Sequence, residues 1–318
     1  MITLGDKWWL TDAEESRRGP TPGLKRYFGV VAAVAALCVA SIVRSSRIGA
    51  LPWAVSAADV ASSAVLPRWA VATWRVAAAL GISALSITRC FVPSNGVLED
   101  LDRKGRTFAY SGIWRYQGLT GWSWLLINAY FLLSAALTLS AGGAAAAVPS
   151  AAANLCQILL GTASAFALLV TIIVTFVLIP NRHAKGLSVS EYFRFQPIVM
   201  HNGNIALMGM ELWLTSSRLP ISLHQLPFAL LFGCAYVLYH NGYRYRATRT
   251  LLYFFLNWTR EDSLKILMCL LAFFGACYTG SFGVSALLAA GYVWAPPAVA
   301  LGLVSIMKFR QPKPLAAA

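Results

Sequence analysis

The stretch Pro197-Ile-Val-Met-His-Asn-Gly-Asn-Ile-Ala-Leu-Met-Gly-Met-Glu-Leu-Trp-Leu-Thr215 sets His201, Asn202, Asn204 and Glu211 into a run that is otherwise apolar. Ionisable side chains are costly in lipid, so they face a protein interior or a wet cavity where they have work to do. At about 100° of turn per residue, His201, Asn204, Met208, Glu211 and Thr215 fall within an arc of about 80°. One helix face is polar and the rest is greasy, and such a stripe points inward, toward a site.

Composition makes this helix a membrane span. Of 318 residues, 58% are hydrophobic and only 12% charged, with a mean hydropathy of +0.62, which is far from a soluble globular domain. The net charge of +14 lies in short basic clusters between apolar runs, where it serves topology and lipid headgroups and excludes nucleic acid as a partner. Cys38, Cys90, Cys156, Cys234, Cys269 and Cys277 include no Cys-x-x-Cys pair and read as small buried hydrophobes, with no disulfide framework.

Crossing roughly 30 Å of hydrocarbon takes about 20 residues. On that test the spans are 28–43, 69–92, 119–141, 154–179, 197–216 and 223–242, followed by an apolar stretch, 264–307, too long for one helix. Gly280-Ser281-Phe282-Gly283 offers a break, giving 264–280 and 284–307, with Pro296-Pro297 disturbing the second. The expected fold is all-α, a polytopic transmembrane bundle of seven or eight helices over residues 28–307. A flexible cytosolic tail, 1–27, precedes it, with Trp8-Trp9 at the interface, and a short tail, 308–318, follows. Residues 93–118 read as a cytosolic segment forming an interfacial helix or a lid. Arg44 and Arg47 after the first run favour an uncleaved anchor over a signal peptide.

With the N-terminus in the cytosol, the inner segments hold nineteen Lys and Arg residues against four outside, Arg44, Arg47, Arg68 and Arg218. The third and fifth spans then both run outward. Thr120, in Gly118-Leu-Thr-Gly-Trp-Ser-Trp124, and His201 start at one level, and His240 and Asn241 return to it at the end of the sixth. Thr120, His201 and His240 are therefore expected in one pocket near the inner leaflet.

A hydroxyl becomes a nucleophile when a base takes its proton, and a neutral histidine is such a base. Asn202 or Asn204 can donate to a developing oxyanion. Glu211, about 15 Å further along the helix, pairs with Arg75 of the second span or binds a polar substrate group. Each has a plainer role too: Thr120 as a helix N-cap, the amides and Glu211 as helix-to-helix ties, and His240 as an interfacial anchor. Trp114, Trp122, Trp213, Trp258 and Trp294 read as an aromatic belt. Four histidines without His-x-x-His repeats argue against a metal site, and no cofactor is expected.

The segment Tyr116-Gln-Gly-Leu-Thr-Gly-Trp-Ser-Trp-Leu-Leu-Ile-Asn-Ala-Tyr130 resembles the Tyr-Leu-Thr segment that opens a span in the androgen-induced / androgen-dependent TFPI-regulating protein family. The helix around His201 resembles that family's histidine-bearing helix, and Leu252-Tyr-Phe-Phe-Leu-Asn-Trp-Thr259 is similar to its W-x-YPFL-(D/E) signature. The likeness covers roughly residues 110–292. Two residues are inserted before Leu119-Thr120, and Phe254 stands where the signature has proline. The resemblance implies an integral-membrane threonine hydrolase that cleaves fatty acid esters of hydroxy fatty acids, with Thr120 as nucleophile and His201 as base. Membrane lipids and a lipid ester substrate are the partners it implies.

Trp74-Arg75 and the Leu-Thr-Gly-Trp-Ser-Trp pattern are also similar to the rolling stone proteins. That likeness implies the same helical plan without catalysis. A small-solute transporter with His201 and Glu211 in a relay is the third reading, although no paired halves are visible. The endoplasmic reticulum and the plasma membrane both remain open as locations.

Overall fold

A computed structural model describes residues 2–3, 23–49, 51, 54–91, 94–100, 105–142, 144–184, 186, 188–245, 250–258 and 262–309. Helix α1 is Gly23–Arg47, α2 the short Ala57–Ala61, α3 Arg68–Phe91 and α4 Leu119–Ser140. Helix α5 runs over Ala151–Ala184 with a π turn at Val174–Leu178, and is opened by Ser150, whose side chain accepts the Ala153 N–H. Phe195–Ile198, the π turn Val199–Gly203 and Asn204–Thr215 run on without a gap and together form α6. Leu226–Leu238 with the π turn Tyr239–Arg244 is α7, Ser263–Ala289 is α8 and Ala295–Ile306 is α9.

Five of these, α1, α3, α4, α5 and α8, are long and apolar enough to cross a membrane, fewer than the seven or eight expected. The polar residues of α6 and of the end of α7 keep those two helices outside this set, and α9 is too short. The molecule has an oily exterior, with Leu37, Trp69, Phe91 and Phe195 exposed, around an interior that holds Arg75, Glu211, His240 and Arg244 fully buried. That inversion suits a lipid solvent, which accepts apolar side chains and rejects charge. Most of α5 is buried, making it the central helix, and α4, α6, α7 and α8 pack around it.

Several expectations are corrected. The glycines at 280 and 283 do not break the last apolar stretch: α8 runs through both to Ala289, with Gly280 seated against Leu168 of α5. The break falls at Gly291, whose φ of +74° is open to glycine but strained for other residues. Pro296 and Pro297 then start α9 instead of disturbing a span, because the first turn of a helix needs no N–H from them.

The described part of residues 93–118 is not an interfacial helix. Strands β2, Ser94–Asp100, and β3, Gly105–Tyr110, pair antiparallel, and a 3-10 turn over Gly112–Tyr116 leads into α4. Strand β1, Ile2–Thr3, adds parallel to β3, and β4, Thr250–Leu251, adds antiparallel to β2. One small sheet thus gathers three segments expected on the same side of the membrane. Of the expected N-terminal tail, residues 4–22, with Trp8-Trp9, lie outside the described residues, and α1 begins at Gly23 rather than 28. Trp258 is no belt residue: it is buried, edge-on to Tyr245.

Candidate functional site

The expected partnership of Glu211 with Arg75 is present. Arg75 Nε and Nη2 both donate to Glu211 Oε1, at 2.9 and 2.7 Å, and both side chains are fully buried. Tyr130 Oη donates to the same oxygen at 2.7 Å, and Trp74 Nε1 donates to Oε2 at 2.8 Å. Arg75 Nη1 gives its protons to the Val60 carbonyl at 2.7 Å and to Thr138 Oγ1. The pair is neutral as a unit and richly hydrogen-bonded, the condition under which charge is tolerated in a low-dielectric interior. It binds α2, α3, α4 and α6 to one another and engages both oxygens of Glu211.

This network also fixes how α4 and α6 lie alongside each other. Tyr130 and Glu211 are separated by 81 residues, and so are Arg115 and Gln196, joined by a 3.3 Å bond from Nη2 to Oε1 at the other end. Arg115 stands on the turn before α4 and Gln196 at the start of α6, so the two helices run in the same direction. From Tyr130–Glu211, seven residues of regular helix on each side set Ser123 level with Asn204. Seven residues is two turns, so Ser123 and Asn204 share the faces of Tyr130 and Glu211, within about 20°. Thr120, ten residues before Tyr130, is turned by about 80° from that line.

His201 lies on the π turn Val199–Gly203, a local widening that recurs at functional sites. Side chains stand in for the displaced backbone bonds: the Ile205 N–H donates to Asn204 Oδ1 at 2.7 Å, and the His201 carbonyl accepts from Thr171 Oγ1 of α5 at 2.6 Å. The His201 ring lies 5.9 Å from that of Tyr192, and its buried Nδ1 has no hydrogen-bond partner. Asn204 is fully buried and its Nδ2 is likewise unpartnered. The other amide is spoken for: Asn202 Nδ2 donates to the Lys308 carbonyl at 2.9 Å, holding the end of α9 against α6. Next to His201, Arg89 of α3 donates to Met200 Sδ and to the Arg115 carbonyl.

Thr120 is not an N-cap. Gly118 occupies that position, and Thr120 is the second residue of α4, partly exposed. The Leu119 N–H donates to Tyr253 Oη at 3.0 Å, and the Tyr253 ring stacks on His240 at 6.0 Å. His240 is no interfacial anchor either, being fully buried on the π turn of α7. Its Nδ1 is 2.6 Å from Asn241 Oδ1 and its Nε2 accepts the Leu252 N–H at 3.3 Å. One donor and one acceptor nitrogen make this imidazole neutral, with the proton on Nδ1 assigned from the partners. Tyr253 thus joins His240 to the first turn of α4.

Ser123, Thr171, Tyr130 and Gln117, which accepts from Arg244 Nε at 2.7 Å, are the participants that sequence reasoning missed. Hydroxyls are cheap in a span because they can bond their own helix backbone. They carry no signal until a second helix is placed beside them. No group of three or more His, Cys, Asp or Glu side chains that could hold a metal occurs among the described residues. Comparisons of the chain with protein-family models, curated proteins and solved structures returned no match.

Proposed function

We propose that this protein is a multipass membrane hydrolase of lipid acyl esters, with Thr120 as nucleophile, His201 as general base and Asn204 as oxyanion donor. In this reading α6 and α7 also cross the bilayer, with the N-terminus in the cytosol, and the ester enters from the inner leaflet. The Thr120 hydroxyl attacks the ester carbonyl while its proton passes to His201. The acyl–oxygen bond breaks, the alcohol leaves with that proton, and water then releases the fatty acid from the acyl-threonine.

The observation that carries the reading is a buried imidazole with an uncommitted Nδ1, on a π turn of α6, the helix that runs alongside the one bearing Thr120. Asn204 takes the oxyanion role because Asn202 is engaged with Lys308.

A second reading, a noncatalytic bundle of the rolling stone kind, draws on Asn202 and Glu211, whose polar atoms tie helices together. Hydrolysis of a branched fatty acid ester of a hydroxy fatty acid by purified protein decides between them. Thr120→Ala and His201→Ala, at equal folded yield, are expected to lose at least about 100-fold in turnover, the scale of a general base. Absence of wild-type turnover across several acyl esters favours the noncatalytic bundle.

A further inference from the structure

Three buried polar atoms on adjoining turns lack a protein partner: Ser123 Oγ on α4, and Asn204 Nδ2 and His201 Nδ1 on α6. Ser123 and Asn204 are both fully buried; Ser164, Ser216 and Trp258 also hold an unpartnered buried atom, but Ser123, Asn204 and His201 are the ones that two helices bring together. Seven residues of regular helix separate Ser123 from Tyr130 and Asn204 from Glu211, which sets Ser123 opposite Asn204 two turns before the contact that joins the helices. The orientation of the Asn204 amide follows from its neighbour: Oδ1 takes the Ile205 N–H at 2.7 Å, which leaves the NH₂ as the free end. The π turn that carries His201 is held open beside it by the Thr171 hydroxyl.

A buried polar atom without a partner costs folding free energy, and one alone could be a packing accident. Three from two facing helices describe a place built for something that hydrogen-bonds. The Asn204 NH₂ donates only, the Ser123 hydroxyl donates or accepts, and the imidazole nitrogen takes whichever role its tautomer leaves. All three are neutral groups or can be so, and Arg89, the cation beside His201, is engaged with Met200 Sδ and the Arg115 carbonyl. The complementary ligand is therefore a small neutral oxygen acceptor rather than an anion.

We infer that Ser123 and Asn204 form, beside His201, a buried binding site for a single neutral oxygen, either a water molecule or the carbonyl oxygen of an acyl ester. The site follows from the helix register and holds whether or not the protein turns its ligand over. Ser123 is then a residue that grips the ligand, and not a helix-packing hydroxyl.

Difference infrared spectroscopy of the detergent-purified chain tests this with ethyl octanoate carrying ¹³C at its carbonyl, in a detergent without carbonyl groups. The expected result is a saturable carbonyl band displaced to lower wavenumber in the wild type, kept in Ser123→Thr and lost in Ser123→Ala. Asn204→Asp, which keeps the acceptor for Ile205 and removes the donor, gives the same loss and guards against a folding artefact in either variant alone. If no displaced band forms but a high-resolution map shows an ordered oxygen within about 3.2 Å of Ser123 and Asn204, the occupant is water. A displaced band that persists unchanged in Ser123→Ala, or neither band nor ordered oxygen, overturns the site. The readout needs no turnover, so an inactive protein that still shifts the band separates this inference from the hydrolase reading.

Discussion

Arg75 and Glu211 neutralise each other where neither could exist alone. Replacing Glu211 with Ala leaves a fully buried guanidinium with no counter-charge, and the expected loss is about 3–5 kcal/mol of stability, the usual result of breaking such a pair from one side. The double change Arg75→Met with Glu211→Met removes both charges and should recover most of that loss. Equal destabilisation by the single and double variants, read from thermal unfolding in detergent, would contradict this account. At this scale the sequence was legible where a residue was out of place in lipid. His201, Asn204 and Glu211 stood out from an apolar run, and the partnership with Arg75 followed from charge. The role of His240 was not legible, since a histidine at a span end has the same sequence signature whether it anchors the interface or, as here, bonds Asn241 and Leu252 inside the protein.

Helices carry the next layer of constraint. Gly121 sits in the first turn of α4, and a Cβ there would lie 2.7 Å from the Tyr116 Cα, against backbone that cannot swing aside. Gly121→Ala is expected to push the Gly112–Tyr116 turn off α4, break the bond from Tyr116 Oη to the Ser86 carbonyl at 2.8 Å and cost about 1–3 kcal/mol, as overpacking does. A melting temperature within error of wild type would rule that out.

The Asn202 bond to the Lys308 carbonyl ends α9, where the chain leaves its helix and the backbone has no helical partner. Asn202→Leu should loosen that end by about 1 kcal/mol and speed tryptic cleavage after Lys308, an effect absent if α9 is held by apolar packing alone. Element existence was readable from apolar runs. The breaks were not, because the glycines at 280 and 283 pass through a helix that packs on α5, while Gly291 ends it with a positive φ. The β hairpin over 94–110 was hidden by mixed charge and aromatics that fit an interfacial helix equally well.

The whole molecule is an arrangement of helices around α5, with α4 and α6 on the same heading and one small sheet gathering the N-terminus, the 94–110 hairpin and Thr250–Leu251. The common heading of α4 and α6 was legible from topology alone, because alternate helices of a bundle run the same way. The offset itself was not, since it is set by Arg115–Gln196 and Tyr130–Glu211, pairs whose members are too far apart in sequence to signal each other. The buried oxygen site depends on that offset, which sets Ser123 facing Asn204.

Crosslinking tests it directly. In a cysteine-free background with a protease site at Gly186, Ser134→Cys and Thr215→Cys stand at the same offset as the two anchoring pairs, whereas Ser123→Cys and Thr215→Cys are about 16 Å apart along the axis. A short bis-maleimide is expected to hold the cleaved halves of the first pair together and to leave the second pair separable. Efficient crosslinking of the second pair and none of the first would contradict the register, and with it the site.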